Sequence, residues 1–145
     1  MSDFDPDRSF GFNLYDAARL LRREFERRAK RHGVTRAQWV ALTWIARQPG
    51  LRQSQLADVL EVTPSAVARL GDRMEGEGLV QRRADPDDRR AWQLHLTDKA
   101  RDSLEMLRTI GRAVRDDALA GIAPKDQDVL LSSLMRIRDN LAAPR

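Results

Sequence analysis

The chain has 145 residues, 41% of them hydrophobic and 33% charged, the balance of one globular domain rather than of a disordered tail. It contains no cysteine, which excludes disulfides, thiolate nucleophiles, cysteine-ligated metals and thiol-based redox sensing. The net charge of +4, from 26 basic and 22 acidic residues, decides little by itself, so the placement of the cations matters more than their excess.

In chain order, Met1 to Asp7 is polar and acidic where a secretory signal is basic and then apolar, and no later run reaches bilayer length. A cytoplasmic protein with no membrane partner is expected, its ends fraying over residues 1–8 and 143–145. From Phe10 to about Arg31 the apolar residues Phe10, Leu14, Ala18, Leu21 and Phe25 recur at steps of three and four, the spacing of one helix face. Gly33, after His32, can take the left-handed conformation that closes such a helix. Thr35-Arg36-Ala37-Gln38 has capping-box spacing and predicts a second helix through Trp39, Leu42 and Ile45, stopped by Pro49-Gly50. A short helix fits Gln53 to Leu60, with a break at Glu61-Val62. Thr63-Pro64 then opens another, because a hydroxyl caps it and proline at the first position forfeits no hydrogen bond. That helix runs to about Glu77, before Gly78. Leu79 to Arg83 and Trp92 to Leu96 read as strands, the second alternating Trp92, Leu94 and Leu96 with Gln93 and an outward His95. The polar loop Ala84 to Arg90 makes them a hairpin with an arginine-rich tip. Thr97 is expected to cap a long helix carrying Leu104, Leu107, Ile110 or Gly111, and Val114, and Pro124 opens a last one through Leu130, Leu134, Ile137 and Leu141. Neither stripe is wide enough to form a core alone.

A short helix, a three-residue break and a longer helix opening on small residues can put that second helix into a major groove, about the only groove that admits one. On the segment from Thr63 to Glu77, Ser65, Ala66 and Ala68 permit close approach, Arg69 and Arg73 share one face, and Val67, Leu70 and Met74 form the opposite, buried one. Every basic residue from Arg69 to Arg90 is an arginine, namely Arg69, Arg73, Arg82, Arg83, Arg89 and Arg90, the side chain best suited to phosphates and base edges. Asp88 stands two residues before Arg90, where a carboxylate can brace the guanidinium, and an extended cationic tip suits the negative potential of a minor groove. A helical hairpin with a solvated charged face explains isolated arginines equally well. The arginine-tipped loop that follows shifts the balance towards duplex DNA.

Thr63-Pro64-Ser65-Ala66-Val67-Ala68-Arg69-Leu70-Gly71-Asp72-Arg73-Met74-Glu75, then Gly78-Leu79-Val80, Asp87-Asp88-Arg89-Arg90 and Leu94-His95-Leu96-Thr97, resemble the MarR family of winged-helix transcriptional regulators. The resemblance covers essentially the whole chain and is most specific from Thr63 to Thr97. It implies a mainly α fold with a small β-hairpin wing, a winged helix-turn-helix with N- and C-terminal dimerisation helices. Residues 1–145 would form a single domain, with 35–97 the DNA-binding lobe and 9–32 together with 98–142 the dimerisation region. It further implies a homodimer on an inverted repeat in a promoter, usually a repressor released by a small aromatic or phenolic ligand. The DNA-binding residues would be Thr63, Ser65, Ala66, Arg69, Arg73, Arg82, Asp88, Arg89 and Arg90, with Arg83 adding attraction. A ligand site would lie where the first two helices and the long fifth helix meet the reading lobe, with Tyr15, Arg19, His32, Arg36 and Trp39 as candidates. Each of these has a plainer reading: Trp39 as core beside Leu42, His32 closing the negative end of a helix, and the arginines solvated. Arg52 departs from the family's frequent hydroxyl cap, Ala123 leaves the last helix without one, and the lack of cysteine excludes the thiol-switched, peroxide-sensing branch.

No glycine-rich phosphate loop, enforced nucleophile–base pair or metal-ligand spacing is present, and the two histidines are far apart. No cofactor is expected, and an enzyme is the weakest reading. The alternative from another class is a helical dimeric ligand- or protein-binding module without DNA binding.

Overall fold

Local chemistry sets most helix boundaries in the computed structural model, which describes residues 5–143. The fraying expected at residues 1–4, 144 and 145 lies outside the described residues. Residues Pro6–Arg8, also expected to fray, instead form one 3-10 turn, to which Asn13 is tied by its side-chain amide donating to the Asp7 carbonyl at 3.0 Å. Helix α1 (Phe10–Lys30) starts where the Ser9 hydroxyl accepts the Phe12 N–H and is followed by Gly33 at φ 75°. Helix α2 (Arg36–Arg47) opens on a complete capping box: the Thr35 hydroxyl accepts the Gln38 N–H at 3.3 Å, and the Gln38 carbonyl oxygen accepts the Thr35 N–H at 3.1 Å.

Strand β1 (Leu51–Arg52) runs directly into helix α3 (Gln53–Leu60). Glu61 then takes φ 54°, a left-handed turn without a glycine to announce it, and its N–H closes α3 on the Ala57 and Asp58 carbonyls. Helix α4 (Pro64–Gly76) follows, with the Thr63 hydroxyl accepting the Ala66 N–H at 3.2 Å. Strands β2 (Val80–Ala84) and β3 (Trp92–Leu96) form the hairpin, shifted one residue onward at β2 from the expected Leu79 to Arg83. The sheet is antiparallel with order β1-β3-β2, and Leu94 lies opposite both Leu51 and Arg82. Two-residue β1 was invisible to periodicity, yet it ties the middle of β3, at Gln93 and Leu94, to the start of α3.

Helix α5 (Ala100–Ala118) begins later than expected and has no side-chain cap. Thr97 does not supply one. Its hydroxyl donates instead to the Gly78 carbonyl at 2.5 Å, satisfying an acceptor at the end of α4 and locking the hairpin's exit beneath that helix. Helix α6 (Pro124–Ala142) likewise starts without a side-chain cap, at Ala123.

Leu42, Ile45, Met74 and Leu94 are the largest fully buried side chains, and aliphatic side chains of this size contribute about 1.5–3 kcal/mol each on burial. Leu107, Ile110 and Val114 bring α5 onto this core. Arg28 ties α1 to α5, holding Asp117 at 2.5 Å and Glu24 at 2.7 Å. No residue of α6 is buried. Among the described residues no helix is long and apolar enough to cross a membrane.

Candidate nucleic-acid interface

Helix α4 lies on α3 through Val67 and Met74, with Leu70 half-buried beside them. Gly71 permits this approach, since a Cβ there would come within 3.1 Å of Gln53 Oε1. The opposite face presents Ser65, Arg69 and Arg73 to solvent, with Ala66 and Ala68 half-buried at its margin. Thr63 is exposed at the cap. Arg73 donates from Nε to Glu77 Oε1 at 3.1 Å, whereas Arg69 has no ion pair among the described residues.

Arg82 departs from the expected role of attracting a DNA backbone. Its half-buried guanidinium pairs with Asp72 and, at 3.3 Å, with Glu75, and its own N–H donates to Glu75 Oε2 at 3.0 Å. The hydrogen bond that Arg82 donates to Asp72 does most to raise the Arg82 pKa, while the Arg82 N–H and then its guanidinium lower that of Glu75. Arg82 therefore fastens the wing to α4, and its charge is spent on two carboxylates of that helix.

The wing tip is organised by Asp85. Its side chain is only 3% exposed and accepts four hydrogen bonds: the Asp87 and Asp88 N–H groups at 2.9 and 3.1 Å on Oδ1, and Arg52 Nε and Gln93 Nε2 at 2.8 and 3.3 Å on Oδ2. The Asp87 N–H, followed by the Arg52 guanidinium, holds this carboxyl below its ordinary value. Arg52 thus forgoes helix capping to reach the wing, while Gln55 accepts its N–H at 3.0 Å and orders the start of α3. Asp88 does not brace the Arg90 guanidinium as expected. It accepts the Arg90 N–H at 2.9 Å, while the Arg90 side chain has no ion pair among the described residues; Arg89 and Arg90 are both exposed.

A cleft of about 370 Å³ separates wing and helices, and it sets Arg90, Asp88 and Trp92 across from Ser54, Asp58 and Pro64. Trp92 is 49% exposed because it pairs with Ala84 at the far end of the hairpin, past the core that receives Leu94. His95, expected to face outward, is half-buried with its ring nitrogen 3.2 Å from Gln93 Oε1, and that burial lowers its pKa.

The candidate ligand residues do not converge. Tyr15 is exposed on α1, Arg19 pairs with Asp16 at 2.7 Å, Arg36 pairs with Glu26 at 3.3 Å, and His32 is exposed after α1. They were expected where α1, α2 and α5 meet the reading lobe, and these four side chains do not gather there. Only Trp39 enters a cavity of about 370 Å³ between α1, α2 and α5, with Phe25, Thr43, Arg47, Leu107 and Arg108. Phe25 packs on Trp39 at 4.7 Å between ring centroids, and the buried Trp39 Nε1 has no hydrogen-bond partner among the described residues. Phe25 lay on the predicted apolar stripe; Arg47 and Arg108 carried no sequence signal.

The model of the MarR family matches residues 34–92. The crystal structure of transcriptional regulator PA3341 is 36% identical, covering 92% of this chain and 98% of that one with a TM-score of 0.76. This chain belongs to the MarR family. A MarR family protein of Mycobacterium tuberculosis, RV2887, crystallised in complex with salicylic acid, is 26% identical, with coverage of 94% and 99% and a TM-score of 0.74. The HTH-type transcriptional regulator YybA of Bacillus subtilis is 28% identical over 108 residues, 74% of this chain and 72% of that one. The protein is a MarR-family transcriptional regulator, and the family is one of regulators rather than enzymes.

Proposed function

We propose that this MarR-family regulator binds duplex DNA as a homodimer, laying α4 in the major groove of each half of an inverted repeat and Arg90 in the adjacent minor groove. In this reading residues 1–145 are one domain, 35–97 the reading lobe, and 9–32 with 98–142 the dimerisation region. The observation that carries it is the cleft in which Arg90 stands opposite Pro64 and Ser54. A sugar-phosphate backbone threaded there has a helix in the groove on one side and a wing in the groove on the other. Thr63 and Ser65 then meet phosphates, Ala66 allows the approach, and Arg69 and Arg73 reach base edges. Arg83 and Arg89 add attraction, Asp88 shapes the tip, and Arg82 belongs to the scaffold.

The second copy follows from apolar surface that one chain leaves bare. Val129, Leu131, Met135 and Leu141 on α6, with Phe10, Phe12 and Tyr15 on α1, are all exposed, more apolar surface than an isolated monomer ordinarily leaves bare on its two terminal helices. Two-fold symmetry requires an inverted repeat with half-sites about one helical turn, ~10 base pairs, apart. The protein acts in the cytoplasm as a repressor released by a small aromatic ligand. The α1–α2–α5 cavity supports that last element, because it brings together an indole N–H without a partner among the described residues and two guanidinium groups, Arg47 and Arg108, complementary to an aromatic acid.

Selection of duplexes from a random library by the wild-type protein tests this reading. Enrichment of an inverted repeat with half-sites ~10 base pairs apart is expected, with binding that weakens as salt rises. No enrichment and no salt-dependent association would leave the helical dimeric module without DNA binding as the better description.

A further inference from the structure

We propose that Glu77 and Gln38 are positioning residues for base reading, which together hold the Arg73 guanidinium in place; the proposal rests on the DNA-binding reading above. Glu77 caps the C-terminal end of α4, where the helix carries partial negative charge and a carboxylate is disfavoured. Its pairing with Arg73 is the i,i+4 kind, in the weaker order with the cation nearer the helix N-terminus. The stability of α4 gives no reason for an acid here.

Its contacts give one. Glu77 Oε1 accepts from Arg73 Nε at 3.1 Å, and Oε2 accepts from Gln38 Nε2 at 2.9 Å. Gln38 is buried and its amide cannot turn round, because its carbonyl oxygen already accepts the Thr35 N–H in the capping box of α2. The amide therefore offers only donors to Glu77, and both oxygens of Glu77 must be acceptors. Lys99 steadies the same residue, donating from Nζ to the Glu77 carbonyl at 2.8 Å. The outcome is a chain of hydrogen bonds, Thr35 to Gln38 to Glu77 to Arg73, that runs from the protein body to the outward face of α4. A guanidinium held in advance loses less freedom on a bidentate contact with guanine.

Glu77→Gln separates this role from plain electrostatics, because removing a negative charge beside a polyanion strengthens all DNA binding. It also presents an NH₂ group to Arg73 or Gln38, which breaks the chain. The experiment titrates wild type, Glu77→Gln, Arg73→Ala and the double variant with a duplex selected by the wild-type protein and with a random-sequence duplex. Glu77→Gln is expected to bind the selected duplex about tenfold more weakly and the random duplex no more weakly than wild type, with no effect in the Arg73→Ala background. Gln38→Glu, which opposes two carboxylates while keeping an acceptor for the Thr35 N–H, is expected to lose more on the selected duplex than on the random one, its added charge lowering both. Equal loss on both duplexes, tighter binding to both, or an undiminished loss in the Arg73→Ala background would overturn the proposal. If Arg73→Ala binds the selected duplex like wild type, base reading by Arg73 itself is wrong. If Arg73→Ala loses selectivity and Glu77→Gln keeps it, only the positioning role is wrong.

Discussion

Leu94 in the sheet and Leu134 in α6 are the same residue type in opposite circumstances, 1% and 38% exposed. The first belongs to a lobe that satisfies itself within one chain: Leu42, Ile45 and Met74 surround the core, and even the buried Asp85 finds four donors. What such a lobe leaves exposed is informative, and on α4 and the wing it is arginine. The second belongs to a helix with no buried residue at all. What that helix lacks is informative, and the proposed dimer would supply it. Damage to the lobe's surface should therefore spare assembly, while damage to the frame should abolish assembly and DNA binding together.

Leu134→Asp should produce the largest effect. It places an uncompensated charge in the proposed interface once per copy, at a cost of about 2 kcal/mol or more each. Analytical ultracentrifugation should find monomers. Affinity for a selected duplex should fall by ~100-fold or more, because the two half-site contacts are no longer linked. A full-strength dimer would erase the contrast between lobe and frame.

Asp85→Ala should be milder and confined to the lobe. It leaves the Asp87 and Asp88 N–H groups, Arg52 and Gln93 without their shared acceptor, so the wing loosens while the dimer persists. Affinity for the selected duplex is expected to drop about tenfold, the equivalent of one or two lost hydrogen bonds. Unchanged affinity in a fluorescence-anisotropy titration would mean that the wing needs no preordering.

The smallest effect concerns acid. Glu24 in the frame is lowered from 4.5 to about 2 by hydrogen bonds from Arg27 and then Arg28. Because the folded carboxylate takes up a proton less readily than the unfolded one, its stabilising contribution is complete above pH 4.5 and disappears as pH falls towards 2. Asp85 has the same sign, its contribution being lost as pH drops below 3.8 towards its lower folded value. The Tm gap between wild type and Glu24→Gln, at fixed protein concentration, should be open at neutral pH and close on acidification. A gap that stays constant would remove Glu24 from the α1–α5 clamp.

Elements whose cues are local were legible in the sequence. The Thr35 cap, Gly33, Gly78 and the Thr63-Pro64 pair act through neighbours within four residues, so α1 to α4 stand where they were expected. Cues that depend on distant partners were not. Glu61 turns left-handed without a glycine, and Thr97 spends its hydroxyl on Gly78 rather than on α5. The polar run from Ala84 to Arg90 announced a loop, but which carboxylate turns inward depends on Arg52, 33 residues away. Arg82 and Arg90 look alike in sequence, and only the carboxylates of Asp72 and Glu75 on an adjoining helix separate scaffold from free cation. The ligand candidates failed for the same reason: Arg47 and Arg108 meet Trp39 only once α2 and α5 have packed.

The central claim is tested most directly by titrating wild type and Arg90→Ala with a selected inverted-repeat duplex, from about 50 to 200 mM salt. Wing insertion requires a strong loss of affinity on substitution and a salt dependence shallower by about one contact, with the dimer intact. Equal affinity and equal slope for the two proteins would contradict it.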